Sequence, residues 1–197
     1  MNGDESSPAV TASGVFVSYG CEQAYDFDPE VGTLVWHHDT SCEGGGGRTA
    51  VYHSGRLYIR DDAGKQPVSL DAQTGEVAGT FSATAAPAFD GATAFFLSNG
   101  TLLGVNLTDN RIMWTYGGGS LTSAPIVAHG LVYAGAGDGK LVALAEKTGT
   151  PVWSGSAGAP ILAPDEHNVA ILPGNGVAEG RLFVAASTRL TVFVGRP

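Results

Sequence analysis

The chain has 197 residues, and its 29 glycines and 15% charged residues are more typical of turns and sheets than of helices. Its formal net charge is −9, with 19 acidic against 10 basic residues, so most faces would repel a nucleic-acid backbone. No apolar run approaches the roughly 20 residues that a membrane-spanning helix requires. These properties argue against nucleic-acid binding and against a transmembrane helix, and they predict an all-β protein.

Short strands separated by tight turns follow one another through the whole chain. They group into five predicted units, at residues 6–42, 49–83, 84–119, 122–155 and 159–194. In the third unit, Asn99-Gly100 between apolar runs predicts a type I′ hairpin. In the fourth unit, which shows the pattern most completely, the GAGDG run from Gly135 to Gly139 predicts a hairpin with positive φ angles. Each complete unit is predicted to be a four-stranded antiparallel meander.

The end of this meander recurs along the chain. The pattern, a turn residue followed four positions later by tryptophan, occurs at Gly32 and Trp36, Asn110 and Trp114, and Gly149 and Trp153, with a fourth copy from Gly75 to Gly79 that has lost its tryptophan. Successive turn residues lie 43, 35 and 39 positions apart. Glycine and asparagine alternate at the turn because both tolerate the left-handed conformation that it requires. A period of about 39 residues is the size of a propeller blade, so we predict a β-propeller of four-stranded blades.

The fifth unit departs from the pattern. It is predicted to start with a strand at Ala159–Ile161, to detour through residues 164–179, and to resume at Gly180–Val184 and Arg189–Phe193. It stops one strand short, so the chain supplies about four and two-thirds blades. We therefore expect residues 1–197 to be a single domain that is the C-terminal part of a larger propeller, or an open arc whose strand edges invite self-association.

Three stretches carry a family resemblance, namely GVFVSYGCEQAYDFDPEVGTLVW, GRLYIRDDAGKQPVSLDAQTGE and APIVAHGLVYAGAGDGKLVALAEKTGTPVW. They resemble the repeats of the pyrroloquinoline-quinone-type (PQQ-like) β-propellers over residues 6–194. The resemblance implies that Trp36, Trp114 and Trp153 wedge between neighbouring blades. It implies a fold but no single chemistry, because the family includes quinoprotein dehydrogenases, an outer-membrane assembly lipoprotein, sensor domains and secreted proteins without known activity. Propellers of this family usually have more blades than this chain supplies.

Cys21 and Cys42 are the only cysteines, and they follow the second and fourth predicted strands of the first unit. Both strands end near one edge of a small sheet, so we predict a disulfide, whose loop closure would contribute roughly 3 kcal/mol. Two unpaired buried thiols are the alternative. A metal site formed by these cysteines with His37 and His38 is disfavoured, because the spacing matches no recognised ligand pattern. A disulfide in a chain that resembles a mostly exported family indicates an extracellular or periplasmic protein.

Two groups of charged residues lie outside the repeat pattern. Between the first two units they are Glu43, Arg48, Arg60, Asp61 and Asp62, and in the longest insertion they are Asp165, Glu166 and His167. Such insertions often carry function in propellers. Solvated loop charge is the interpretation that we favour for both groups. The alternative is ligand binding by Arg48, Arg60 and His167, with Arg48 clamping a carboxylate.

Two functions from different classes fit this sequence. The one we favour is a non-catalytic propeller in a secreted or cell-surface bacterial protein, which presents loops and a central cleft to a protein, peptide or glycan. The other is a fragment of a PQQ-dependent quinoprotein dehydrogenase. The resemblance implies that such enzymes carry adjacent cysteines, a tryptophan stacked on the propeller axis and a calcium-binding set. This chain has no adjacent cysteines and its tryptophans all occupy the repeat position, so we expect no catalytic residue, metal or cofactor.

Overall fold

The computed structural model describes residues 6–41, 47–61, 65–164, 166 and 174–195. These residues form five antiparallel sheets, four with four strands and the last with three. The helical structure within the described ranges is a 3-10 turn at Gly20–Glu22. The prediction of an all-β chain with almost no helix is confirmed. The chain divides into two compact units, the first with the two sheets before residue 83 and Glu166, the second with the other three sheets.

The first unit contains two four-stranded sheets. Their strands are β1 (Ala9–Val10), β2 (Val15–Tyr19), β3 (Gln23–Phe27) and β4 (Leu34–His38), and then β5 (Val51–His53), β6 (Arg56–Ile59), β7 (Val68–Asp71) and β8 (Val77–Thr80). Each strand pairs with the next one in sequence, as the predicted meanders require. The inward-facing residues of the strands, among them Phe16, Leu57 and Leu70, form one buried core.

The second unit contains three sheets. Their strands are β9 (Ala88–Asp90), β10 (Thr93–Ser98), β11 (Thr101–Asn106) and β12 (Arg111–Tyr116), then β13 (Ile126–Ala128), β14 (Leu131–Gly135), β15 (Lys140–Ala145) and β16 (Pro151–Ser156), and last β17 (Asn175–Ala178), β18 (Arg181–Ala186) and β19 (Arg189–Val194). Phe95, Val132 and Leu144 belong to one core cluster, and Ile161, Leu182 and Val184 to another. Burial of these apolar side chains is the main stabilising contribution of such sheets.

The turns have the backbone conformation that the sequence predicts. The four turn residues have left-handed φ angles, 72° at Gly32 and Gly75, 55° at Asn110 and 67° at Gly149. In the third sheet Asn99 and Gly100 have φ angles of 47° and 75°, as a type I′ hairpin requires. The predicted turn chemistry is confirmed at these positions.

A β-bulge recurs between the third and fourth strands of every four-stranded sheet. The pairing shifts by one residue between Asp26 and Phe27, Ser69 and Leu70, Gly104 and Val105, and Ala143 and Leu144. In the fourth sheet Ala143 pairs with Trp153 and Leu144 with Pro151, which leaves Val152 as the extra residue. A bulge directly before the tryptophan re-aims its side chain. This feature was not predicted from the sequence.

The prediction of a strand at Ala159–Ile161 is wrong, because the last sheet begins with β17 at Asn175. Ile161 is instead buried in the connection after β16, where its N–H donates to the carbonyl of Ala136 at 3.4 Å. Leu121 has the same place in the preceding connection and donates to the carbonyl of Gly100 at 3.1 Å. The similarity of Ala159-Pro-Ile161 to Ala124-Pro-Ile126 suggested a strand. The conformation of Ile161 is decided instead by the burial of its side chain in the connection after β16. That the five sheets are one domain, the C-terminal part of a larger propeller, stays a prediction.

Candidate functional site

A buried ion pair lies at the centre of the polar loops of the first unit. Arg60 follows β6 and is 1% exposed, and its Nη2 lies 2.9 Å from Oε2 and 3.3 Å from Oε1 of Glu166, which is 5% exposed. Burial lowers the pKa of the Arg60 guanidinium, Glu166 opposes that shift, and nearby Arg48 adds to it. The pair brings together the two charged groups that the sequence analysis treated as separate. Solvated loop charge is therefore the wrong interpretation for Arg60 and Glu166.

The loop before β5 packs closely against β2. Ser18 donates its hydroxyl hydrogen to the carbonyl of Arg48, and a Cβ on Gly47 would lie 2.4 Å from the carbonyl oxygen of Ser18. Only glycine permits that approach. Arg60 Nη2 also donates to the carbonyl of Thr49 at 3.4 Å. The backbone of residues 47–49 is thus held by the first sheet on one side and by Arg60 on the other, and it presents the half-buried Arg48 at this edge.

A strained turn adjoins this loop in the same unit. Cys21 and Glu22 are both buried, and they have left-handed φ angles of 65° and 62°. The Cys21 carbonyl accepts hydrogen bonds from the Thr40 hydroxyl at 2.6 Å and from Lys65 Nζ at 3.3 Å. Left-handed backbone costs roughly 1–2 kcal/mol per residue for side chains of this kind. Such strain persists only where the surrounding contacts determine it, and it clusters at functional sites.

Glu22 is a buried carboxylate that the sequence analysis missed. Burial raises the pKa of its carboxyl group, Lys65 partly offsets the shift, and Asp61 adds to it. Its Oε1 atom has no hydrogen-bond partner among the described residues. The site thus brings carboxylates and cations close together in one unit.

Asp26 is a second buried carboxylate that was missed. It is 3% exposed, and burial raises the pKa of its carboxyl group against a hydrogen bond from the Val15 backbone. A period of two along β3 places Asp26 on the same face as the fully buried Ala24. That alternation is the signal from which its burial could have been predicted. No comparable local signal exists for Glu22, whose burial follows from contacts with residues far along the chain.

Several predicted site residues lie outside the described part of the chain. They are Cys42, Glu43, Asp62, Asp165 and His167. The Cys21–Cys42 disulfide and the ligand contact at His167 therefore stay predictions. Of the histidines considered for the disfavoured metal site, His37 stacks on Tyr25 with ring centroids 4.1 Å apart.

The three repeat tryptophans have two different environments. Trp36 and Trp114 are 9% and 8% exposed, whereas Trp153 is 39% exposed. A Cβ on Gly75 would lie 2.6 Å from the Trp36 ring, and a Cβ on Gly149 would lie 2.6 Å from the Trp114 ring. Two of the tryptophans thus pack beneath the turn glycine of the following sheet in their own unit.

Two further features concern metals and membranes. Among the residues that the structure describes, no group of three or more histidine, cysteine, aspartate or glutamate side chains is arranged to hold a metal ion. Within the same residues, no helix has the length and apolar character that crossing a membrane requires.

Comparison with known proteins identifies the repeat family. A family model described as outer membrane protein assembly factor BamB matches residues 22–194. This match confirms the PQQ-like resemblance. No curated protein sequence is significantly similar to the chain.

Solved structures show the same fold. BamB from Moraxella catarrhalis aligns with a TM-score of 0.72 and 20% identity, over 98% of this chain and 59% of that one. The computationally designed Ika8 protein aligns with a TM-score of 0.71 and 12% identity, over 95% and 57%. Quinohemoprotein alcohol dehydrogenase from Comamonas testosteroni aligns with a TM-score of 0.67 and 14% identity, over 98% and 41%. The likeness shows the predicted β-propeller fold, and the chain spans less than two thirds of each of these proteins.

Proposed function

The chain belongs to the family of the outer membrane protein assembly factor BamB, and from this premise we propose that it is a non-catalytic β-propeller scaffold that binds a protein partner. The family description names a protein assembly factor, which favours a role in protein binding. Propeller blades are rigid supports, and their loops are free to differ in sequence and so to recognise partners. The partner is a bacterial protein or peptide at the cell surface or in the periplasm.

The observation that carries the proposal is the internal neutralisation of Arg60. The guanidinium is buried and its charge is balanced by the chain's own Glu166 at 2.9 Å. Arg60 therefore fixes the loops in place and is not available to a substrate. Arg48 is half-buried on the loop that Arg60 supports, and a guanidinium at such a place can bind a carboxylate of the partner. Recognition by a rigid loop of this kind needs no reactive group.

Trp36 and Trp114 offer no stacking face to pyrroloquinoline quinone, the cofactor that the family resemblance implies for dehydrogenases. A flat cofactor of this kind needs an open aromatic face, but Trp36 and Trp114 are covered by Gly75 and Gly149. Trp153 meets Phe193 edge to face, with ring centroids 5.1 Å apart.

Site-specific photo-crosslinking in the native host tests the proposal. A photoreactive amino acid at position 48 should form an adduct with one discrete protein, whereas the same residue at Glu30, in an exposed turn, should not. Adducts at both positions alike, or at neither, would contradict a binding role for this loop. As a separate arm, pyrroloquinoline quinone with calcium is titrated into the purified chain. Saturable binding, or dye reduction with an alcohol, would instead favour the dehydrogenase function.

The proposal about the cellular compartment depends on the two cysteines. We propose that Cys21 forms a disulfide with Cys42 and that the protein works in an oxidising compartment. Cys21, the cysteine that the structure describes, is not a free thiol, which supports the proposal. Mass spectrometry without reductant should give a mass about 2 Da below that of the reduced chain, because the disulfide replaces two S–H bonds. Two alkylatable thiols in protein isolated from the host would contradict it.

A further inference from the structure

The residue that follows the second strand of a sheet differs between the two units. In the first unit it is Arg60, after β6, which is buried with Glu166. In the second unit it is Ala136, after β14, and it lines a cavity of about 450 Å³ between the third and fourth sheets. This volume lies within the range of roughly 300–1,000 Å³ that small-molecule sites have. A place that holds an ion pair in one unit is thus open in the other.

The cavity has an apolar floor and an aromatic wall. Leu121 and Val142 line it, are each 7% exposed, and belong to one buried core cluster. Tyr116 packs against the same cluster and is half-buried. It lies two residues after Trp114 on β12, so the two side chains are on the face of the third sheet where the Trp114 ring meets Gly149. An aromatic ring beside an apolar floor suits the C–H face of a ligand.

Polar groups surround this apolar surface. Lys140 Nζ lies 3.2 Å from Asp138 Oδ2, and both residues line the cavity. A hydrogen bond from the Lys140 backbone N–H at 3.0 Å lowers the pKa of the Asp138 carboxyl group, so Asp138 is an ionised acceptor at neutral pH. These two are the charged residues of the lining, and their charges cancel. Among the described residues the hydroxyls of Tyr116 and Ser154, which also line the cavity, form no hydrogen bond.

The segments that frame the cavity are held in place by their own hydrogen bonds. The Ser120 hydroxyl donates to the carbonyl of Gly117 at 2.8 Å, and the Ala136 N–H donates to the carbonyl of Lys140 at 2.8 Å. Ser154 is opposite Val142 in the β15–β16 pairing, so the two side chains are on one face of the fourth sheet. The polar groups are therefore arranged before a ligand arrives, which lowers the cost of binding.

We propose that this cavity binds a neutral sugar, with one hexopyranose ring between the third and fourth sheets. The C–H face of the ring lies against Tyr116 and the apolar floor. Its hydroxyls donate to Asp138 and Ser154 and accept from Lys140. A charged sugar fits less well, because Asp138 and Lys140 neutralise each other and leave no partner for a further charge. The inference goes beyond the proposed function and does not involve Arg48.

Saturation-transfer NMR with methyl hexopyranosides tests the proposal. The probes are the glucoside, galactoside and mannoside, each paired with the uronide that carries a carboxylate at carbon 6. At least one neutral probe should bind with a Kd in the millimolar range, as expected for a ligand of about 13 heavy atoms. Its uronide should bind at least tenfold more weakly. Lack of binding by all three neutral probes, or a uronide that binds as tightly as its neutral counterpart, would overturn the proposal.

Variants of the full chain locate the binding. Asp138→Asn should weaken binding of the neutral probe at least tenfold, and circular dichroism checks that its unfolding midpoint is unchanged. Asp109→Asn is the matched control, because Asp109 is also in an exposed pair, with Arg111 Nε 3.9 Å from its Oδ2, but lies outside the cavity lining. It should leave binding unchanged.

Two further results would contradict a sugar site in this cavity. Equal effects of the two aspartate variants would place the bound sugar elsewhere on the chain. A photoreactive amino acid at position 154 that forms an adduct with a host protein would show that a polypeptide occupies the cavity instead. Both results leave the crosslinking test at position 48 unaffected, so the failure of this inference and that of the proposed function are distinguishable.

Discussion

At the scale of single residues, the turn glycines meet two requirements at once. Gly75 and Gly149 have left-handed φ angles, and their missing Cβ atoms also make room for the rings of Trp36 and Trp114. Asparagine meets the first requirement, as Asn110 shows with a φ of 55°. Only glycine meets both, because any side chain would overlap the indole. The same left-handed φ angle therefore permits asparagine at one turn and only glycine at another.

Replacement of Gly149 by alanine separates these two effects. Gly149→Ala should cost roughly 2–4 kcal/mol of unfolding free energy, from left-handed strain and overpacking against Trp114. Gly130→Ala is the matched control, because Gly130 has a φ of 73° and a methyl group added there would meet nothing within 4 Å. It should cost only about 1–2 kcal/mol. Urea denaturation of both variants measures the difference, and equal losses would show that the ring contact has no energetic weight.

At the scale of elements, the connections between sheets are as ordered as the strands. Leu121 and Ile161 are 7% and 1% exposed in segments outside the named strands, although Leu121 forms a single antiparallel bridge with Ala136. Each donates its N–H to a carbonyl at a hairpin of the same unit, and Ile161 also packs against Gly135. Each connection is thus anchored by one buried apolar side chain. The bulge before each repeat tryptophan is the other irregular element that recurs between sheets.

The connection after β16 offers neighbouring residues for a test. Ile161→Ala removes a buried side chain and should destabilise the chain by about 2–4 kcal/mol. Leu162→Ala, at a residue 52% exposed, should change stability by less than about 0.5 kcal/mol. Thermal and urea unfolding give both values. If the two variants lost equal stability, Ile161 would not be the residue that anchors this connection.

At the scale of the whole molecule, the Arg60–Glu166 pair joins residues 106 positions apart within the first unit. It brings a residue of the late insertion onto the second sheet. Buried pairs of this kind cost much to break, because removal of one partner leaves an uncompensated charge, although a pair of apolar residues of similar volume is often tolerated. The pair thus fixes the position of Glu166 on the second sheet more than it stabilises the fold.

A mutant cycle measures this contribution. Glu166→Gln should destabilise the chain by about 3–5 kcal/mol, and the double change Arg60→Met with Glu166→Gln should recover part of the loss because no charge is left buried. Asp138→Asn breaks the exposed pair in which Lys140 Nζ and Asp138 Oδ2 lie 3.2 Å apart, and should leave the unfolding midpoint unchanged. Chemical denaturation of each variant gives the free energies. A double variant less stable than Glu166→Gln alone would contradict this account.

The sequence by itself determined the sheet architecture, because turn chemistry and the alternation of apolar residues are local. The glycines and asparagines at the turns, and the tryptophans at a period of about 39 residues, were sufficient to predict the blades. Only the tertiary structure decided that Arg60 and Glu166 meet, that Glu22 is buried in a strained turn, and that Trp153 remains exposed. These three features depend on contacts between residues far apart in the chain. A local sequence pattern does not show which of those residues lose water or which charges meet. The short likeness at Ala159–Ile161 misled for the same reason, since Ile161 is buried against distant residues such as Gly135 and Leu182.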